Sequence, residues 1–530
     1  MTSIFPTNPT LPLCRAIRKG LLPLLAAACA TAQAQGDMTS KGSYQYQDAQ
    51  EVWRNTANAA GLGLDSLTNR GVTFLELSQW SSDHHLVQQG DKQNTLLFLS
   101  ERYQHIGKYL VGFGRFEFNT GRDFNRAWCD MLRTEHSNPY TSGSAIPARY
   151  ERQFIDLTAQ LSTVRMGPMT YGFRLDYKVG DYSRLKDPRS RVMMTRYRVA
   201  PAVTFTTGPH SLGVVAHYRH YKEKLTGLTT VQTDATLMYY QMTGLEHAIG
   251  TVGGYNAFSR EFVNHELGVE LDYSFRSQSF QSLNSFSFEH AREHIREQYK
   301  AEPAAWRNQL WRFFSQNRIH ASRMLHQFDL TLHYKPALGD EHRQQKMIEL
   351  NPETGASTTY YTTLITYRNR YEVYEYLADV HYKLLWLQDK KTTAYAGLRL
   401  SYRHDEEQYN LPQSNWNTGG LDATLEGGAA LFDKADKSLW IEAAAGYHFS
   451  TQSDLQLNDA SGVYATSVLI PNNDYYGANC FNGKLELTWQ MPVSFKSYRN
   501  IWYFKLGGSY HKTDCHTDGY RVAASAGIYY

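Results

Sequence analysis

The chain has 530 residues, with 54 Lys plus Arg against 51 Asp plus Glu, a formal net charge of +3 and a mean hydropathy of −0.53. A balance this near neutral gives no electrostatic case for nucleic-acid binding, and no apolar run reaches the ~18 residues a membrane helix needs. The excess of Tyr (38, against 24 Phe and 10 Trp) suits β-structure and bilayer interfaces, where a ring with a polar tip is most stable.

Residues 1–34 read as an export signal. Arg15, Arg18 and Lys19 form a basic region, and residues 21–30 an apolar stretch too short to anchor the mature protein. Ala32-Gln33-Ala34 is an A-x-A cleavage site, so the mature chain is expected to start at Gln35. Cys29 after Ala26-Ala27-Ala28 gives a second reading, as a lipoprotein acceptor, which the polar stretch 31–35 disfavours. Losing that segment removes three positive charges and takes the net charge from +3 to 0. The remaining cysteines, Cys129, Cys480 and Cys515, contain no C-x-x-C and form neither a zinc pattern nor a disulfide framework. A single bridge between Cys129 and Cys515 stays open.

Residues 35–70 are polar, Gly/Asn-rich and not strand-like. They contain Val52-Trp53-Arg54-Asn55-Thr56-Ala57-Asn58-Ala59-Ala60-Gly61-Leu62. One reading is a short helix or free tail. The other is a hatch folded into a lumen, with Trp53, Arg54, Asn55 and Asn58 inside and Arg54 paired with one or more of Asp176, Glu266, Glu270 and Asp272.

From Val72 onward, alternating segments recur. In 169–179 the odd positions Met169, Tyr171, Phe173, Leu175, Tyr177 and Val179 are apolar or aromatic, and the even ones are Thr170, Gly172, Arg174, Asp176 and Lys178. A period of two puts these sets on opposite faces of a strand. Segment 266–276 repeats it, with Leu267, Val269, Leu271, Tyr273 and Phe275 against Glu266, Gly268, Glu270, Asp272, Ser274 and Arg276. So do 393–402, 502–510 and the last strand, whose even positions run from Tyr520 to Tyr530. Short connections at 106–108, 167–168, 208–210, 277–279, 335–340, 388–391, 433–437 and 492–499 alternate with longer polar ones at 81–93, 120–148, 183–189, 222–260, 293–318, 352–370, 404–419, 450–477 and 511–518. Outer-membrane barrels show this asymmetry of short periplasmic turns and long extracellular loops. Nine hairpins predict a transmembrane antiparallel β-barrel of about 18 strands over 71–530, with 16 the next choice. The weakly patterned hairpin at 340–352 is the one to drop. A soluble sandwich would also alternate, but charged faces on strand after strand require a water-filled interior.

No phosphate loop, nucleophile elbow or dinucleotide fingerprint is present; Ala523-Ala524-Ser525-Ala526-Gly527 lacks the first glycine of G-x-S-x-G. His290-Ala291-Arg292-Glu293-His294 matches H-x-x-E-H, a zinc-peptidase pattern, but it follows alternating residues and runs into a loop, where both His cannot reach one metal. Asp83-His84 on the first long loop carries general-base potential. Asn415-Trp416-Asn417 and Asn472-Asn473-Asp474-Tyr475-Tyr476 suit sugar stacking, and are also ordinary turn chemistry. Neither catalytic nor metal residues nor a cofactor are assigned. The functional candidates are the lumenal charges Arg174, Asp176, Lys178, Glu266, Glu270, Asp272 and Arg276, as a structural network or as a field that sorts solutes.

Val52-Trp53-Arg54-Asn55 with Ala59-Ala60-Gly61-Leu62, then Asn138-Pro139-Tyr140, residues 172–177 and Asp187-Pro188-Arg189, resemble an uncharacterised outer-membrane barrel family of Bacteroidota, a family of unknown function. Ser190 stands where that family usually has Pro. The resemblance implies location and fold, not activity. Asn58-Ala59-Ala60-Gly61-Leu62 is also similar to the Asn-Pro-Ala-Gly-Leu hatch segment of fatty-acid transport porins, without its proline. The expectation is therefore an integral outer-membrane channel or uptake pore for small solutes. Its partners would be outer-membrane lipid, those solutes and the barrel-assembly machinery during biogenesis, with no nucleic acid. A barrel-borne surface hydrolase using Asp83 and His84, and a cell-surface binding protein acting through its loops, are the alternatives.

Overall fold

The computed structural model describes residues 40–65, 69–132, 137–230, 237–252, 258–434, 437–495 and 498–530. The export segment and cleavage site expected in residues 1–34 lie outside them. The chain forms a closed antiparallel barrel of 18 strands. The first strand, Arg70–Ser82, pairs with both the second, Lys92–Ile106, and the last, Asp518–Tyr529. Gly71 and Tyr530 exchange backbone hydrogen bonds at the seam, at 2.6 and 3.1 Å. Closure leaves no open edge around the barrel wall, so the rungs there have partners without help from water.

The faces follow the alternation. Tyr171, Phe173 and Leu175 point outward, as do Leu267, Val269 and Leu271; Phe173 is 46% exposed and Leu267 66%. Their even-numbered neighbours face the lumen. Among the described residues no helix is long and apolar enough to cross a membrane; the elements with an apolar exterior are strands. Tyr530 sits at the seam, half-buried, its ring over Gly71 and its hydroxyl 3.2 Å from Thr73 Oγ1.

Two connections differ from expectation. Residues 335–340 are not a turn. They lie inside strand Met324–Leu350, whose true short turn is at 322–323, with Ser322 at φ +54°. Pro336 and Gly339 resemble turn chemistry, but Pro336 only interrupts the ladder to Ala304–Ala321, which skips from Asn308–Ala337 to Trp311–Tyr334. Gly339 admits Trp306, whose ring would stand 3.0 Å from a Cβ there. The hairpin at 340–352 is present and long. Met324–Leu350 pairs with Ser357–Gln388 all the way to Leu350–Ser357, while the flanking strands end at Glu341 and Tyr371. Beyond that point the hairpin projects past the flanking strands, with residues 299–303 against its base, where the Glu302 N–H donates to Gln344 at 2.8 Å; most of both faces meets water, so no alternation is demanded. Strand likewise occupies much of 304–318, 357–370 and 404–409, read above as loop.

Among the described residues, Cys129, Cys480 and Cys515 form no disulfide with one another. Cys129 is buried among loop side chains and Cys515 is exposed, so no bridge joins them.

Candidate functional site

Residues 40–65 lie inside the barrel at its short-turn end. Helix α1, Lys41–Gln50, starts at Ser40, whose hydroxyl accepts from the Ser43 N–H at 3.3 Å, an N-cap. Lys41 pairs with Glu442 and donates to Thr488 Oγ1 at 3.1 Å. The Tyr44 hydroxyl donates to Glu101 at 2.6 Å. Ala49 packs on Leu325 and Leu385. Two 3₁₀ turns follow, Trp53–Asn55 and Ala59–Leu64, the second capped by Asn58 Oδ1, which accepts from the Ala60 N–H at 3.0 Å. Trp53 is 2% exposed, its ring laid against Gly61, where a Cβ would stand 2.2 Å from it.

The wall was built to receive this segment. Gly172 leaves room for its backbone: a Cβ there would be 2.0 Å from the Ala60 nitrogen. Arg174 donates to the Thr56 carbonyl at 3.2 Å, and Arg276 to that of Leu64 at 2.8 Å. Glu270 accepts from the Ala57 N–H at 2.7 Å, and Asp272 from Asn58 Nδ2 at 2.8 Å. Asp176, Lys178 and Glu266 do not touch it. Asp176 joins Arg174 and Arg198, at 3.0 and 2.8 Å; Lys178 faces Asp156 at 3.4 Å; Glu266 pairs with Arg219. Asn55 Nδ2 donates to Gln316 at 2.9 Å. Arg54 differs from expectation. It pairs with Asp48 and, at 2.8 Å, with Glu101, its guanidinium over the packed rings of Tyr103 and Phe113. The four carboxylates expected for it lie elsewhere on the wall: Glu270 and Asp272 accept from Ala57 and Asn58, and Asp176 and Glu266 are paired with wall arginines. Glu101, Gln316 and Gly172 are the contacts that sequence reading missed as such; lumenal glycines on otherwise alternating strands were the available signal.

Polar contacts of this kind contribute ~0.5–1.5 kcal/mol each, somewhat more where charged, and the apolar patches under the segment are small, such as Ala57 and Ala60 on Ala200, Ala202 and Val215. Lumen water can replace them. A side chain at 172 should therefore dislodge the segment without breaking the barrel. Gly172→Leu, with overpacking of about 1–3 kcal/mol, should make Trp53 accessible to acrylamide, read as the difference from Trp53→Phe. Identical quenching in the variant and the parent would refute this.

Asp65 adds a pH dependence. It is fully enclosed, and its Oδ1 accepts from the Trp53 N–H at 3.4 Å. Burial pushes its carboxyl well above the usual range, and the charge of Glu51 adds to this. The group takes up a proton more readily docked than undocked, where its value is ~3.9. Docking is therefore strongest below that value and weakens as pH rises through the raised one. Conductance should increase from acid to alkaline pH, and Asp65→Asn should lower it and flatten the slope. An unchanged slope in the variant would sink this account.

The opposite end is filled by loops. Trp128, Cys129, Met131 and Tyr140, then Tyr239, Met242 and Leu245, then Tyr464, Val468 and Leu469 pack on wall residues that include Phe262, Trp306, Tyr371 and Trp416. A small sheet of Ser142–Gly143, Met238–Met242 and Ala248–Val252 runs through this layer. The two stretches read as sugar-binding meet here: Trp416 Nε1 donates to Asn473 Oδ1 at 3.0 Å, and Asn472 Nδ2 to Gln88 at 2.7 Å. Trp416 and Asn472 are buried and hold the mouth together.

Between the two fillings lies a cavity of about 700 Å³. Arg126, Arg152, Lys178, Arg196, Arg219 and Lys335 line it, and Asp123 is the acid in its lining. The balancing carboxylates are outside the lining: Asp156 near Lys178 and Arg196, Glu266 against Arg219, Glu375 at 3.6 Å from Lys335. Arg126 donates to the Cys129 carbonyl and the Tyr182 hydroxyl, each at 2.9 Å.

The motifs singled out for catalysis are dispersed. His84 stacks on Tyr475 with centroids 4.2 Å apart, and burial, then His511, lowers its pKa to about 4. Asp83 is exposed, its N–H bonded to the Asp518 carbonyl at 2.8 Å. His290 and His294 lie on the outward face of strand Phe280–Arg296 while Glu293 points inward to Asn138 and Asn264. A strand puts them on opposite sides, so H-x-x-E-H binds no metal here.

Residues 59–530 match the family of unknown function DUF6850. The chain belongs to that family. No functionally curated protein matches it. Among solved structures it is similar to the copper transporter OprC (9% identity, 88% of this chain and 81% of that one, TM-score 0.39) and to the FrpB iron transporter from Neisseria meningitidis (8%, 89% and 83%, 0.38). A third is the ferric-catecholate import receptor Fiu from E. coli K12 (9%, 88% and 82%, 0.38). No function is carried over from them.

Proposed function

We propose that this family member is an integral outer-membrane uptake channel for small anionic solutes, held closed by its own N-terminal segment acting as a hatch. The observation that carries this is the chamber lining, six basic side chains against one acid. With those carboxylates outside the lining, a solute in the chamber meets mostly guanidinium and ammonium groups, and a lumen ringed by cations favours anions. The apolar exterior suits lipid, and the export signal expected in residues 1–34 suits the outer membrane. Solute enters past the loops, rests in the chamber and leaves when the hatch moves. The reading is of a transporter rather than an enzyme, since Asp83 and His84 lie apart from the chamber.

The test is ion selectivity of the purified protein in planar bilayers under a KCl gradient. A reversal potential on the chloride side is expected for the rare openings of the intact chain. A potential on the potassium side would overturn the anion assignment, and a complete absence of openings under every condition would overturn transport.

A further inference from the structure

Three adjacent strands set His217, Gly268 and Glu289 in one row of the wall. The ladder pairs Gly268 with His217 on one side and with Glu289 on the other. Glu266, two residues along and on the same face, lies opposite Arg219. All three side chains are buried, that of His217 to 2% exposure. Gly268 makes the space between them: a Cβ there would stand 2.3 Å from His217 Cε1 and 3.0 Å from Glu289 Cγ.

His217 Nε2 is 3.6 Å from an oxygen of Glu266 and 3.6 Å from one of Glu289. These distances exceed those of hydrogen bonds. Neither ring nitrogen of His217, nor Oε1 of Glu266, has a hydrogen-bond partner. A buried imidazole and carboxylate left unsatisfied are costly unless something else engages them. All three ligand atoms lie within 4.8 Å of one another. Metal–ligand bonds of about 2.1 Å at tetrahedral angles place ligand atoms about 3.4 Å apart, close to the separations seen.

We propose that His217, Glu266 and Glu289 bind one divalent transition-metal ion of the zinc class. One imidazole nitrogen with two carboxylate oxygens suits such a borderline ion; calcium and magnesium favour oxygen alone. Arg219 engages the other oxygen of Glu266 and stands 4.0 Å from Glu289, so with neutral His217 the cluster keeps one net negative charge. The ion would staple three strands beside the chamber. By taking up carboxylate charge it would also release the field of Arg219, which lines the cavity. The site is independent of the transport reading. The competing state is an imidazolium held by both glutamates.

The full chain, purified in detergent and stripped with EDTA, is titrated with Co²⁺ and then with Zn²⁺. One equivalent of Co²⁺ with a visible d–d spectrum, displaced by Zn²⁺, is expected. His217→Ala and Glu289→Gln should weaken binding at least tenfold, whereas His294→Ala, on the outward face, should not. Gly268→Ala keeps every ligand and should weaken binding by displacing the ring. Heat-modifiability on gels identifies folded variants, and the folded ones among these three decide the question. No saturable binding by the parent protein, or unchanged affinity in those variants, would overturn the proposal in favour of the imidazolium.

Discussion

Deleting residues 35–66 should raise single-channel conductance at least about tenfold, because a barrel of 18 strands encloses a lumen wide enough for water and residues 40–65 lie across its short-turn end. The barrel should stay folded. Its ladders close on themselves without the segment, and the wall groups it leaves behind, among them Glu101, Glu270, Asp272 and Gln316, become lined by lumen water rather than stranded in a dry core. Arg70 loses the buried partner Glu51 and is the one strong pairing given up at the seam; it too gains water. Heat-modifiability should be unchanged. The idea fails if conductance stays at the parent level while Trp53 in the intact protein is already open to quencher.

Reversing charges in the chamber should have the next largest effect. Arg196 and Lys335 are side chains of its lining. At about 5 Å in a wet lumen of dielectric ~80, one unit charge acts on a monovalent ion with ~0.8 kcal/mol. Changing its sign moves each ion by ~1.7 kcal/mol, about 17-fold in occupancy and in opposite senses for chloride and potassium, before salt screening reduces it. In the deletion background, where the pore is open, Arg196→Glu should move the chloride-to-potassium permeability ratio by at least about tenfold toward potassium, and Lys335→Glu should add to it. High salt should shrink both shifts. A ratio that does not respond to either variant would show that ions bypass the chamber, and the anion-selective reading would fall with it.

The hatch variants and the chamber variants probe different links. Gly172→Leu and Asp65→Asn alter how firmly the segment sits, by sterics and by the charge of a buried carboxyl, and should leave selectivity alone. Arg196→Glu alters selectivity and should leave the gate alone. A single variant that moved both readouts would couple chamber to hatch, with Arg174, which touches the segment and shares Asp176 with Arg198, the evident link.

What the amino-acid sequence determined by itself was the barrel and the orientation of its strands. Each membrane-height strand must put one face to lipid and the other to a wet lumen, so period two is imposed on every strand separately; segments 169–179 and 266–276 declare it without help from their neighbours. Strand number followed from the alternation of turns and loops. Legibility stopped where that demand stopped. Past Glu341 and Tyr371 most of both faces of the long hairpin meets water, pattern lapses, and Pro336 and Gly339 pass for a turn. Inside the lumen, a polar side chain suits water, a wall network or a plug equally well, so composition cannot tell Asp272, which holds Asn58, from Asp176, which holds Arg174, Arg198 and Thr158 of the wall. Tertiary structure alone decided that Arg54 meets Glu101, that Trp416 and Asn473 close the mouth, and that His217, Gly268 and Glu289 share one row. His217, Gly268 and Glu289 sit far apart in the chain, and only the register of three neighbouring strands brings them side by side; the other pairs meet because the lumen is closed around the N-terminal segment and the loops.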